Sequence, residues 1–175
     1  MSDQVDQELA VMDERAAKNE AVLPDIIERD IAELCRHPAL TLDVSATIGD
    51  AIAMMQHHHV GAVVITQEGK LAGILTERDL LMKVLGKVDD YRDQSVTELM
   101  TARPESLRRG DELVYLMNAM YVGGFRHMPI VDDNDVPQHV VSLRDVLALI
   151  LDQVADRIRN IPTTPYRGDR KRYSG

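Results

Sequence analysis

The chain has 175 residues, 45% hydrophobic and 28% charged, a composition that supports a globular core and excludes a fibrous or membrane class. Aromatic residues make up only 3%, with no Trp, so the core must be built from Ile, Leu, Val, Ala and nine Met. A net charge of −9 opposes binding to nucleic acid or an anionic membrane, and no apolar run approaches the ~20 residues of a membrane span. Residues 1–29 form an N-terminal extension. Its first 23 read as an amphipathic helix through Leu9, Met12, Ala16 and Leu23, ending at Pro24, to pack on a partner subunit or on its own module. The opening "MSDQVDQELAVMDE" has no signal-peptide apolar stretch, and Cys35 is alone, so a reducing cytoplasm is the expected location. Cys35 lies on the apolar side of "IIERDIAELC" and reads as a packed thiol.

From residue 41 the order of elements becomes legible. After a first strand, "SATIGDAIAMMQHH" is a helix with Thr47 at the N-cap and Asp50 closing a capping box. Ile48, Ile52 and Met55 share its apolar face. His57, His58 and His59 lack metal-ligand spacing and read as a solvent-facing helix end. "GAVVIT" and "LAGILT" are strands joined by the turn "QEG". "ERDLLMKVLG" returns to helical spacing through Leu80, Leu81, Val84 and Leu85, with Gly86 as its stop.

The same order then recurs at an offset of 65 positions. "IAELC" falls on "VTELM", Ile48, Ile52 and Met55 on Leu113, Met117 and Met120, and "VGAVVI" on "FRHMPI". The offset becomes 66 after the hairpin loop, because "QEGKLAG" is one residue shorter than "DDNDVPQH". Two β–α–β–β–α units, residues 30–90 and 91–153, thus form an internal pseudo-dimer with expected three-stranded sheets. Residues 154–175 hold the end of a last helix of about 142–160 and a basic tail, "YRGDRKRYSG". The tail reads as a solvated terminus or as a polyanion contact.

Chemistry concentrates at one repeated junction. "GILTERDLL" and "VVSLRDVLA" place Thr76, Arg78 and Asp79 in register with Ser142, Arg144 and Asp145, where a strand gives way to a helix. A helix start exposes N–H groups and suits anions, and a carboxylate there accepts from both hydroxyls of a ribose. Capping accounts for one of these side chains; ligand contact accounts for the recurrence of hydroxyl, Arg and Asp. No catalytic constellation is legible: Asp89–Asp90 and Asp132–Asp133 are adjacent turn residues, and no nucleophile or phosphate-loop motif is present.

At these residues, about 30–150, the chain resembles the CBS-domain family, in the form of a tandem CBS pair or Bateman module. The resemblance implies an α+β fold of two repeats about a pseudo-twofold axis. It implies regulation rather than catalysis, with no catalytic cofactor and an adenine nucleotide (AMP, ADP or ATP, with AMP or ATP foremost) in clefts between the repeats. It places ribose on Thr76 and Asp79, or on Ser142 and Asp145. Arg78, Arg126, His127 and Arg144 are the basic candidates for phosphate. The second repeat departs from the first in having His139 for Gly73, and Arg126 and His127 for Gly61 and Ala62, so the two clefts should differ. The long apolar stripe of the last helix, Val146, Leu147, Ile150, Leu151, Val154 and Ile158, implies a homodimer. The expected role is control of an unidentified partner protein, and the alternative is an architectural dimerisation module without ligand response.

Overall fold

The computed structural model describes residues 28–84 and 90–153. The expected N-terminal helix, Leu85 and Gly86, the last helix beyond Gln153 and the basic tail lie outside them.

The first repeat runs β1 (Thr41–Asp43), α1 (Ile48–His58), β2 (Ala62–Gln67), β3 (Lys70–Thr76) and α2 (Glu77–Lys83). Its α1 begins with the expected capping box: Asp50 N–H donates to the Thr47 hydroxyl, and Thr47 N–H donates back to the Asp50 carboxylate. Both ends of the box are served, which fixes the helix start. These contacts hold the Asp50 carboxyl below its ordinary range. The exposed histidines end α1, with His59 in a left-handed conformation (φ 54°).

The second repeat runs β4 (Thr101–Ala102), β5 (Leu107–Arg108), α3 (Leu113–Gly123), β6 (His127–Val131), β7 (Pro137–Ser142) and α4 (Leu143–Gln153). Both hairpins carry a β-bulge at equivalent places, after Ile65 in the first and after Ile130 in the second. Ile65 faces Gly73, while Ile130 faces His139, so the longer loop is absorbed in the turn and the register of the strands is kept.

The segment that opens each repeat packs into the other one. Ile31 N–H donates to the Asp111 carbonyl (2.9 Å) and Leu113 N–H to the Arg29 carbonyl (2.8 Å). Ile48 N–H likewise donates to the Gln94 carbonyl (2.9 Å) and Val96 N–H to the Ala46 carbonyl (3.1 Å). Each set supplies an acceptor to the first N–H of a helix, a group with no partner inside its own helix. Side chains follow the backbone. Ile31 and Leu34 are buried with Leu116, Met128 and Val141 of the second repeat, and Val96 and Leu99 with Met55, Val63 and Leu75 of the first.

The exchange reaches the sheets. β4 adds to the first sheet, which becomes four-stranded in the order β1-β2-β3-β4 rather than three-stranded as expected. In the second sheet, of order β5-β6-β7, the corresponding contact is a single bridge between Pro38 and His139. Pro38 has no N–H to extend a ladder, which restricts the pairing there. Cys35 is half-buried against the second core, and burial raises its thiol pKa. Leu81, by contrast, is 60% exposed although its spacing belongs to the apolar series of α2. Its counterpart Leu147 is 50% exposed on α4.

Candidate functional site

The exchange places the connector between the repeats beside the first strand–helix junction. A cavity of about 480 Å³ opens there, bounded by the start of α2, by Thr101 and Arg103 of the connector, and by Gly124, Phe125 and Arg126 between α3 and β6. Five expected site residues meet in it: Thr76, Arg78, Asp79, Arg126 and His127. Ser142, Arg144 and Asp145 do not line this cavity; they form the corresponding junction of the second repeat.

Both junctions are closed by the same local bonds. Thr76 N–H and its hydroxyl donate to Asp79 Oδ2 (3.0 and 2.6 Å), and Asp79 N–H donates to the Thr76 hydroxyl (3.3 Å). Ser142 N–H and its hydroxyl donate to Asp145 Oδ2 (2.8 and 2.6 Å), and Asp145 N–H donates to the Ser142 hydroxyl (3.3 Å). Capping is therefore a real task of both carboxylates. It occupies one oxygen of each and leaves the other for different work.

That second oxygen is treated differently in the two repeats. Asp79 Oδ1 forms an ion pair with Lys83 Nζ at 2.7 Å, and the same ammonium donates to the Leu99 carbonyl at 2.6 Å. The position equivalent to Lys83 is the buried Leu149. Among the described residues, no hydrogen bond or ion pair reaches Asp145 Oδ1.

The basic residues also divide. Arg78 Nη1 donates to the Gly124 carbonyl (3.3 Å), tying the start of α2 to the other repeat. Gly124 caps α3 in the left-handed region (φ 66°), where glycine alone is unstrained. A Cβ at Gly123 would overlap the Phe125 ring, so a larger residue there would have to displace that ring. His127 is partly buried, and burial with the nearby Arg126 pushes its pKa below the ordinary 6.5, against the opposing pull of Glu77 and Asp145. Near neutral pH it is an uncharged hydrogen-bonding group rather than a second cation. The expected contrast at Gly73 has a steric basis. A Cβ at 73 would overlap the Met100 sulfur, whereas the His139 ring meets the His37 carbonyl through Nδ1 at 2.8 Å.

Arg103, Glu105 and Phe125 line the cavity without a sequence signal of their own. Arg103 and Glu105 lie in a connecting segment that only the exchange brings to the cleft, and Phe125 stands in "FRHMPI" where the first repeat has Val60. Among the described residues there is no cluster able to hold a metal ion and no helix long and apolar enough to cross a membrane.

Comparison with known proteins agrees with this architecture. The model of the CBS domain matches the chain twice, over residues 30–86 and 96–152. A CBS domain-containing protein of Arabidopsis thaliana is 30% identical over 135 residues, covering 77% of this chain and 24% of the relative, so the chain spans about a quarter of that protein's length. The crystal structure of a CBS-domain containing protein from Agrobacterium tumefaciens is 31% identical with a TM-score of 0.62, covering 69% of this chain and 98% of the other. A CBS domain protein from Pyrobaculum aerophilum, complexed with AMP, shares the fold at 23% identity and a TM-score of 0.62, over 73% of this chain and 99% of the other. CBS domains are regulatory, non-catalytic units. With both repeats matched and paired through exchanged segments, the chain belongs to the CBS-domain family and forms a tandem CBS pair.

Proposed function

We propose that this CBS pair senses an adenine nucleotide in the clefts between its repeats and passes that state to a partner protein. The observation that carries the reading is the convergence, in one cavity of about 480 Å³, of the Thr76–Asp79 pair from one repeat with Arg126 and His127 from the other. A volume of this size suits a small ligand. Asp79 faces the ribose hydroxyls, Arg126 and Arg103 take the phosphate, and Ile74, Pro104 and Phe125 supply apolar contact. Because Glu77 and Glu105 offset part of that positive charge, AMP fits better than ATP. Ser142, Arg144 and Asp145 form the second, non-equivalent site. The AMP complex of the Pyrobaculum protein supports the same ligand class.

Two such modules associate through α2 and α4, whose equivalent leucines Leu81 and Leu147 face outward beside Met82 and Leu151. These leucines, and carboxylates already engaged in capping their own helices, also favour a second reading, an architectural dimerisation module. Thermal melting with AMP, ADP, ATP and GMP separates the two. The sensing reading requires a rise in Tm with the adenine ligands, AMP foremost. An unchanged Tm with every nucleotide at millimolar concentration leaves the architectural reading.

A further inference from the structure

The two ribose-facing carboxylates differ in their remaining capacity to accept hydrogen bonds. An ionised carboxylate offers about four lone-pair positions, two on each oxygen. At Asp145, two are filled by the Ser142 N–H and hydroxyl, both on Oδ2. At Asp79, the Thr76 N–H and hydroxyl fill the same two, and Lys83 fills a third on Oδ1. A ribose diol brings two donors. Asp145 has room for both, and Asp79 has room for one.

We infer that Lys83 is a specificity-determining residue of the Asp79 cleft: it makes that cleft a poor discriminator between ribose and deoxyribose and links its occupation to the connector. The inference rests on the nucleotide reading above. The Asp79 side chain is 13% exposed, so water does little to replace a lost partner, and the Lys83 contact is short and charge-assisted. A diol that engages Asp79 with both hydroxyls must displace the ammonium. That displacement also frees the Leu99 carbonyl, at the end of the turn Val96–Glu98 that precedes β4. Thr101 of β4 and Arg103 just beyond it line the same cavity, so the strut joins the sugar-facing carboxylate to the opposite wall. Leu149 at the equivalent position cannot form such a strut in the second repeat.

The test is calorimetry of AMP and 2′-deoxy-AMP on the full chain, in an Asp145→Asn background so that the Asp79 cleft is read. With Lys83 present, the two ligands should bind within about threefold of one another. Lys83→Met opens the third position, and one added hydrogen bond to a charged acceptor should raise the preference for AMP by about tenfold. Lys83→Gln, shorter and uncharged, should move the ratio in the same direction and serves if the Met variant does not fold. A ratio unchanged or reduced in a folded, AMP-binding variant overturns the role of Lys83 alone. Absence of AMP binding both with Lys83 and in its variants, in chains that melt cooperatively, overturns it together with the nucleotide reading of the Asp79 cleft.

Discussion

The two repeats have the same strand order, the same bulge and the same hydroxyl–carboxylate cap, yet the surroundings of the cap differ. In the first repeat Asp79 is paired with Lys83 and lies under a connector that extends the sheet as β4. In the second, Asp145 keeps an oxygen unpaired among the described residues, and the exchanged segment meets the edge of the sheet through the Pro38–His139 bridge without adding a strand to it. Both repeats keep the cap before the last helix, the bulge and the core positions, whereas the Thr47–Asp50 box of α1 has no counterpart at α3, whose N-cap Glu112 makes no side-chain bond. The clefts diverged at positions where the backbone tolerates change.

The exchange of opening segments is the feature whose loss should cost most. Ile31 is fully buried, and it is buried in the second core although its sequence opens the first repeat. Ile31→Ala should lower unfolding stability by about 2–5 kcal/mol in chemical denaturation. Hydrogen exchange should then speed up at Leu113–Gly123 more than at Ile48–His58. Faster exchange confined to Ile48–His58 would contradict the exchange.

Steric asymmetry at the bulge comes next. Gly73→Val forces a side chain against Met100 and should cost about 1–3 kcal/mol. His139→Ala loses the bond to the His37 carbonyl, about 0.5–1.5 kcal/mol. Equal losses in the two variants would show that the repeats pack alike at this position.

The smallest effect concerns pH. His127 has a depressed pKa in the fold, so its contribution to stability is present above pH 6.5 and is lost as pH falls through the folded value, where the unfolded chain has already taken up the proton. Melting between pH 7.5 and 5 should therefore show declining stability. His127→Ala, which restores the residue type of Ala62, should flatten that slope. An unaltered slope would remove His127 as the source.

Much of this fold was legible because repetition and capping are local. The offset of 65, its change to 66 in the loop, and the Thr47–Asp50 box all lie in short stretches of sequence. The exchange was not legible, since "IAELC" and "VTELM" look the same whichever core they enter. Thr76 and Asp79 were found by their recurrence, whereas Arg103 and Phe125 recur nowhere. Lys83 reads in sequence as an ordinary i, i+4 partner on a helix surface. Its second contact, with the Leu99 carbonyl, arises only from the fold.

Whether the two caps are also ribose clamps is decided by AMP calorimetry on the wild type, Asp79→Ala and Asp145→Ala. Each substitution removes the carboxylate half of a capping box and should lower stability by about 1 kcal/mol. Each should also weaken its own site by about ten- to a hundredfold, since hydrogen bonds to a charged group contribute about 1.5–3 kcal/mol each. Two variants that lose the cap's stability yet bind AMP as the wild type does would contradict it.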